Sequence, residues 1–293
     1  MPESSELPQF VSFLSDFGRG DEFVGVCHAV MLELAPHLRI VDISHEIAPF
    51  DVRAGALALV RSVQYLPPGI VLAVVDPGVG TDRRVVAVEV EHGVLVGPDN
   101  GLLAPAVAML GGPRRIVSIT SEAHRLTSPG ATFAGRDVMA PAVGHLASGV
   151  PLDELGEEVD PAGLVPGLLP LPREHEGRLL AEVLWVDRFG NCQINVGPEE
   201  LSALGVGPGD GVEVRFGDQA RRARWVAAYA EAKPSELVIV VDSYGLASIA
   251  VDRRSAAVEC GLRSGSAVEV VPPGAGDSIG GEGQAVHLTE RRR

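Results

Sequence analysis

Asp76-Pro77-Gly78-Val79-Gly80-Thr81-Asp82-Arg83-Arg84 places a carboxylate and a guanidinium seven positions apart across a Gly-rich turn. A carboxylate can accept a hydrogen bond from an attacking oxygen. An arginine stays protonated, so it can orient a group or stabilise charge but cannot act as a base. The segment directly follows Ile70-Val71-Leu72-Ala73-Val74-Val75, an apolar run that reads as a buried parallel strand. In open α/β sheets ligands bind outside the carboxyl ends of the strands, which is where Asp76 falls. Taken alone, Asp-Pro-Gly is good turn chemistry and most such segments are only turns, so its companions decide.

Those companions are Ser15-Asp16-Phe17-Gly18-Arg19-Gly20-Asp21, Ala48-Pro49-Phe50-Asp51-Val52, Gly97-Pro98-Asp99-Asn100-Gly101-Leu102-Leu103 and Thr132-Phe133-Ala134-Gly135-Arg136-Asp137. Asp16 ends the first strand as Asp76 ends the third, so both can face one crevice. There Asp16 can accept two hydroxyl hydrogen bonds, as a ribose diol requires, or it can cap the next helix. Asp21 suits an N-cap better than a ligand. Of the adjacent Arg83 and Arg84, one is expected to be a surface charge. No Gly-Lys-Ser/Thr phosphate loop, G-x-G-x-x-G, G-x-S-x-G or H-E-x-x-H occurs. His28, His37, His45 and His92 lack metal-ligand spacing, so no metal is expected. In the second half, Asp187-Arg188-Phe189-Gly190-Asn191 is either a β-turn or a purine grip. The grip would combine an aromatic face, an amide and a carboxylate for a cation. Asp242-Ser243-Tyr244-Gly245 is a similar turn at a strand end.

The elements that must position these residues alternate in the first half. Strands are expected at Phe10–Leu14, Arg39–Ile43 and Ile70–Val75, with a hairpin of Val85–Val90 and Val94–Val96 around His92-Gly93. Helices are expected at Glu22–Leu34, Val52–Val63, Leu102–Leu110 and Val138–Leu146. This βαβ pattern predicts an α/β N-terminal domain, residues 8–160, with a largely parallel central sheet. A stretch with Pro161, Pro166, Pro170 and Pro172 reads as a linker over 161–176. Beyond it Leu179–Val186, Val212–Phe216, Leu237–Val241 and Ala267–Val271 read as short strands of a smaller β domain, 177–273. The Gly-rich 274–293 reads as a mobile tail.

Of 293 residues, 46% are hydrophobic and 22% charged, which fits a globular chain. The formal net charge of −15 argues against nucleic acid and anionic membrane as partners. Cys27, Cys192 and Cys260 are few, odd in number and without C-x-x-C spacing, as expected in a reducing cytoplasm. The start has no signal-peptide pattern and no apolar run reaches membrane-spanning length.

Together, S-D-F-G-x-x-D, D-P-G-V-G-T-x-R-R, P-D-N-G-L-L and T-F-x-G-R-D, in this order, resemble the S-adenosyl-L-methionine (SAM) hydroxide adenosyltransferase family. These are adenosine-forming SAM hydrolases, related to fluorinase and chlorinase enzymes. The resemblance spans roughly Phe10 to Val271. It implies an α/β domain followed by a β-barrel, and a homotrimer whose sites join one subunit's first domain to the next subunit's second. It implies that Asp16 holds the ribose hydroxyls and that Phe50 stands where the fluorinase lines the sugar with tryptophan. Asp187 would meet the methionine ammonium, Ser243 would lie near its carboxylate, and Phe189 and Asn191 would contact adenine with backbone from Val251 to Arg253. Tyr244 stands where the fluorinase has an arginine. Asp76 and Arg83 match two of the hydrolases' Asp-Arg-His water-binding set. The third position is Ala134, either a natural variant or an engineered replacement of the family histidine. The fluoride-site threonine and serine fall at Val79 and Gly135, so the halide site is not reproduced. The chemistry implied is in-line attack of water or hydroxide at ribose C5′, releasing adenosine and L-methionine with SAM as substrate and no cofactor. A chloride-using halogenase and a SAM- or adenosine-binding protein without turnover are the alternatives.

Overall fold

The computed structural model describes residues 7–273; the tail expected from Gly274 lies outside the described residues. The chain divides after Leu169 into two compact units, the second beginning at Pro170. The first comprises β1 (Phe10–Ser15), α1 (Phe23–Leu34), β2 (Arg39–Ser44), α2 (Val52–Val63), β3 (Gly69–Val74), β4 (Val85–Val90), β5 (Gly93–Pro98), α3 (Ala104–Met109), β6 (Arg115–Ile119), α4 (Ala140–Ala147) and β7 (Gly156–Glu158). The sheet order is β2-β1-β3-β5-β4-β6-β7. It is parallel from β2 to β5 and antiparallel from β5 to β7.

Strands β1 and β3 are buried beyond their first residue because both of their faces are covered. Val11, Phe13, Ile70, Leu72 and Val74 join Cys27 and Met31 of α1 and Ala140 and Val143 of α4 in one core. Leu14, Val71 and Ala73 join Ala56, Leu59 and Val63 of α2 and Val107 of α3 in the other. This period-2 alternation makes three layers, helix on sheet on helix. Helix α2 starts where Asp51 Oδ1 accepts from the Ala54 amide at 2.8 Å, satisfying a donor that the helix leaves free. Asp21 does not cap α1 as expected: the N-cap position is Glu22, which makes no side-chain capping bond. Helix α4 is preceded by one π-turn, Gly135–Met139, within the T-F-x-G-R-D segment. Such turns are frequent at functional sites.

The second unit comprises β8 (Arg173–His175), β9 (Arg178–Val186), β10 (Cys192–Ile194), α5 (Pro198–Ala203), β11 (Gly211–Phe216), β12 (Gln219–Val226), β13 (Leu237–Val241), β14 (Ala247–Val251), α6 (Ala256–Cys260) and β15 (Ala267–Val271). The strands run β10-β14-β13-β12-β11-β15-β9, and β10 also pairs with β9, which closes a seven-stranded barrel. Closure leaves these seven strands no free edge. Strand β8 adds to the outside of β9, and Pro161–Gly163 forms a short 3₁₀ turn. The Pro-rich 161–176 is therefore partly ordered structure and not a bare linker. Pro161 sits in the first turn of that 3₁₀ segment, where its missing N–H costs nothing.

Candidate active site

In the first unit, Ser15 of β1 lies opposite Val74 of β3, and the Asp16 amide donates to Val74 O at 3.2 Å. Asp16 and Asp76 thus leave adjacent parallel strands at one edge. β5 ends at the same edge, where Asn100 Nδ2 donates to Val75 O at 2.9 Å.

Arg83 Nε donates to Asp76 Oδ1 at 2.8 Å and to Oδ2 at 2.9 Å, and Arg83 Nη2 also donates to Oδ2. The Asp76 side chain is only 6% exposed and that of Arg83 16%. Burying a carboxylate is costly unless it is paired and hydrogen-bonded, and the turn supplies that partner from seven residues away. Neither arginine is the free surface charge expected of one of them: the Arg84 guanidinium binds buried Asp99 and the Gly163 carbonyl. The second carboxylate oxygen of Asp99 accepts from the Val165 amide at 2.8 Å. The two adjacent arginines therefore fix two different strand-end carboxylates.

Arg83 and Ala134 line one cleft of about 750 Å³, together with Thr81, Ser118, Arg125 and Asp137. Gly135 follows Ala134 and must be small: a Cβ there would come within 2.9 Å of Phe17 Cζ. Phe17 in turn packs edge-on against Phe133 and Phe23. The residue after Asp16 and the residues flanking Ala134 are thereby wedged together. Arg136 is held by both carboxylate oxygens of Asp137 and stands over the Phe133 ring, so its guanidinium is already paired.

Asp16 does not cap α1. Its Oδ2 accepts from the Phe50 amide at 2.9 Å, which joins the two residues expected at the sugar. Phe50 is 71% exposed and has φ 68°, a left-handed conformation rare for a bulky residue. Strained backbone of this kind persists where the surroundings over-determine it, often at ligand clamps. The Asp16 bond is such a determinant.

In the second unit, Asp187, Asn191, Ser243 and Tyr244 line one pocket of about 450 Å³ with Trp185, Tyr229 and Asp242. Phe189, Val251 and Arg253 are not among its lining residues. Phe189 is 78% exposed, Val251 is buried, and Arg253 is exposed with φ 53°. Asp187 Oδ1 accepts from the amides of Phe189 at 2.9 Å and Asn191 at 2.8 Å, and its Oδ2 accepts from Asn191 Nδ2 at 2.7 Å. Gly190 closes this turn with φ 85°, and a Cβ there would strike Ser255. Asp242 repeats the device: Oδ1 accepts from the Tyr244 and Leu246 amides, and Oδ2 from Gln193 Nε2 and Ser248 Oγ. No lysine or arginine lines this pocket. Two carboxylates fixed by neutral donors, beside Trp185, Tyr229 and Tyr244, favour a cationic ligand group. Burial, with the charges of Asp187 and Asp242, pushes the Tyr229 hydroxyl above its ordinary value, so it stays protonated.

Sequence reasoning missed Asp242 as a site residue, although Asp-x-aromatic-Gly repeats the Asp187 turn. It also missed Arg125, Tyr229 and Trp185, for which no local signal exists. His28, Asp42 and His45, without metal spacing along the chain, converge through the fold.

Models of the SAM hydroxide adenosyltransferase N-terminal domain and C-terminal domain match residues 11–156 and 181–269. A (R)-S-adenosyl-L-methionine hydrolase of Salinispora tropica is 41% identical over 261 residues, covering 89% of this chain and 97% of that protein. One of the same description from Thermus thermophilus is 42% identical, covering 89% and 99%. The crystal structure of an uncharacterized conserved protein from Thermotoga maritima superposes with a TM-score of 0.82 at 32% identity, over 89% of this chain and 99% of that one. The chain belongs to the SAM hydroxide adenosyltransferase family.

Proposed function

We propose that this chain hydrolyses SAM to adenosine and L-methionine by in-line attack of water or hydroxide at ribose C5′. The observation that carries this reading is the buried Asp76–Arg83 pair, whose arginine lines the same cleft as Ala134. The sulfonium leaves as a neutral thioether, so the site's work is to aim and desolvate an oxygen nucleophile. Asp76 Oδ1 takes one bond from Arg83 and keeps a lone pair for that oxygen. Arg83 remains charged, orients Asp76 and stabilises negative charge on the nucleophile. Asp16 accepts the ribose hydroxyls on the oxygen positions left beside its bond to Phe50, and Phe50 lines the sugar. Asp187 takes the ammonium or sulfonium charge, supported by the pocket's lack of basic side chains. Ser243 and Tyr244 face the methionine carboxylate, and Phe189, Asn191, Val251 and Arg253 contact adenine. No cofactor is required for this substitution.

Ala134 carries no proton-transfer atom, and that single feature favours a second reading, binding of SAM or adenosine without turnover. A halide nucleophile fits less well, because Asp76 offers only acceptor oxygens, which can take a hydrogen bond from water but give none to an anion. Incubation with SAM, with and without chloride, separates the three. Adenosine identifies the hydrolase, 5′-chloro-5′-deoxyadenosine the halogenase, and bound but unchanged SAM the binder.

The substrate-binding groups lie on two separate units, which supports a homotrimer that unites them across subunits. Light scattering of the active protein should give three chains; an active monomer at micromolar concentration contradicts this. Free, buried Cys27, Cys192 and Cys260 suit a reducing cytoplasm. Among the described residues no helix is long and apolar enough to cross a membrane.

A further inference from the structure

His28 of α1, Asp42 of β2 and His45 just beyond β2 offer one ligating atom each, all within 4.8 Å of one another. Asp42 Oδ1 is 3.0 Å from His28 Nε2 and 3.0 Å from His45 Nε2. Bonds of about 2.0–2.2 Å to a tetrahedral zinc separate its nitrogen and oxygen ligands by roughly 3.3 Å. The two Asp–His separations therefore need to open by only a few tenths of an ångström, and the two imidazole nitrogens lie within 4.8 Å of each other.

His45 is the informative member. It is buried, and its Nε2 has no aligned hydrogen-bond partner although Asp42 Oδ1 is so close. Asp42 Oδ1 accepts from His28 Nε2, and a short distance with a poor angle to His45 is the geometry of two ligand atoms aimed at a common third centre. The other ring nitrogen, Nδ1, is 2.8 Å from Ser15 Oγ. If Nδ1 carries the proton and donates to that hydroxyl, the Nε2 lone pair is aimed into the cluster. This is the outer-shell arrangement that metal-bound histidines commonly show. Phe13 packs its ring against both imidazoles and walls the inner side. His28 and Asp42 are partly exposed on the outer side, which leaves room for entry and for a water as fourth ligand.

We propose that His28, Asp42 and His45 form a site for a borderline divalent cation, zinc in the first instance. Two imidazoles and one carboxylate are zinc chemistry and not calcium or magnesium chemistry. The ion would tie α1 to β2 and to the segment that leads to Phe50. Through Ser15 it would brace the strand end that carries Asp16. Its role is structural, outside the reacting atoms, and it does not depend on the hydrolase reading.

The test is titration of the chelator-stripped full chain with Zn²⁺ against a chromophoric chelator. The expected result is one zinc per chain. His28→Ala, which alters the most accessible imidazole of the cluster, should weaken binding by more than about 100-fold. Ser15→Ala should weaken it by about 10–100-fold, the usual cost of losing an outer-shell partner. Absence of binding at micromolar zinc overturns the proposal, as does binding unchanged by His28→Ala and Asp42→Asn. The cluster is then a carboxylate shared by two imidazoles. Should the variants not fold, Co²⁺ loading of the unaltered chain decides. The intense visible bands of four-coordinate cobalt are expected, and the weak bands of six-coordinate cobalt alone contradict the site.

Discussion

Asp76 in the first unit and Asp187 in the second are both strand-end carboxylates, but they are held in opposite ways. Asp76 is gripped by a guanidinium, so its charge is cancelled where it sits. Asp187 is held by two backbone amides and an asparagine amide, so its charge is fixed in place but not neutralised. The first arrangement suits a group that must hold a neutral or weakly charged nucleophile without repelling it. The second suits a group that must attract a cation. One residue type thus serves two tasks, and the donor that satisfies it decides which.

The largest effect should come from position 134, which bears only on the first arrangement. Ala134→His should raise kcat by as much as about 10²–10⁴-fold, the range for a positioned proton-transfer group, with KM little changed. A change confined to KM would show that position 134 touches the substrate and not the attacking oxygen.

Arg83→Ala should cost about 3 kcal/mol of stability, near the low end for breaking a buried pair because Arg83 is partly exposed. Asp187→Asn should cost at most about 1 kcal/mol, since Oδ1 can still accept from the turn amides. Denaturant melts of the two variants compare the sites directly. Equal losses would erase the distinction between a charge-paired and an amide-held carboxylate. In kinetics, Asp187→Asn should raise KM for SAM with kcat nearly preserved.

Asp16→Ala should weaken SAM or adenosine binding by about 1.5–3 kcal/mol, the scale of hydrogen bonds to a charged group. Calorimetry giving unchanged affinity would leave Asp16 with only its structural bond to Phe50.

The smallest effects separate the two units by pH. Burial, and then the charge of neighbouring His124, holds His145 below its ordinary 6.5. The unfolded chain then takes up the proton first, so this contribution is present above pH 6.5 and declines as pH falls through 6.5. In the second unit the Arg224 fork, and then the Lys233 amide, hold Glu236 at about 2, below its ordinary 4.5. That contribution is present above pH 4.5 and is lost as pH falls from 4.5 to about 2. Thermal midpoints followed against pH should flatten below pH 6.5 in His145→Gln and only between pH 4.5 and about 2 in Glu236→Gln.

Much of the first unit was legible in the sequence because β1, β3 and α2 carry strong periodicity and the loops between them carry the chemistry. Asp76 and Arg83 could be paired from a seven-residue turn. The pairing of Arg84 with Asp99 could not, because it spans fifteen positions and a second strand. β12 was missed since Arg221, Arg222 and Arg224 hide its alternation; Arg224 finds its partner in Glu236, beyond the strand. β10 eludes the sequence because it is only three residues long, and β14 because Ala247, Ser248 and Ala250 weaken its β-branched signal. The capping rule points to Asp21 because it does not say where the helix turns inward, and α1 begins two residues later at Phe23. The His28–Asp42–His45 cluster was invisible because its spacing is tertiary and joins a helix to a strand end.

Attack of water at C5′ next to Asp76 and Arg83 puts the solvent oxygen into adenosine. Turnover of SAM in oxygen-18 water, followed by mass spectrometry of both products, reads this out. One heavy oxygen is expected in the 5′-hydroxyl of adenosine and none in L-methionine. Label in methionine, adenosine without label, or a 5′-halogenated nucleoside would contradict it.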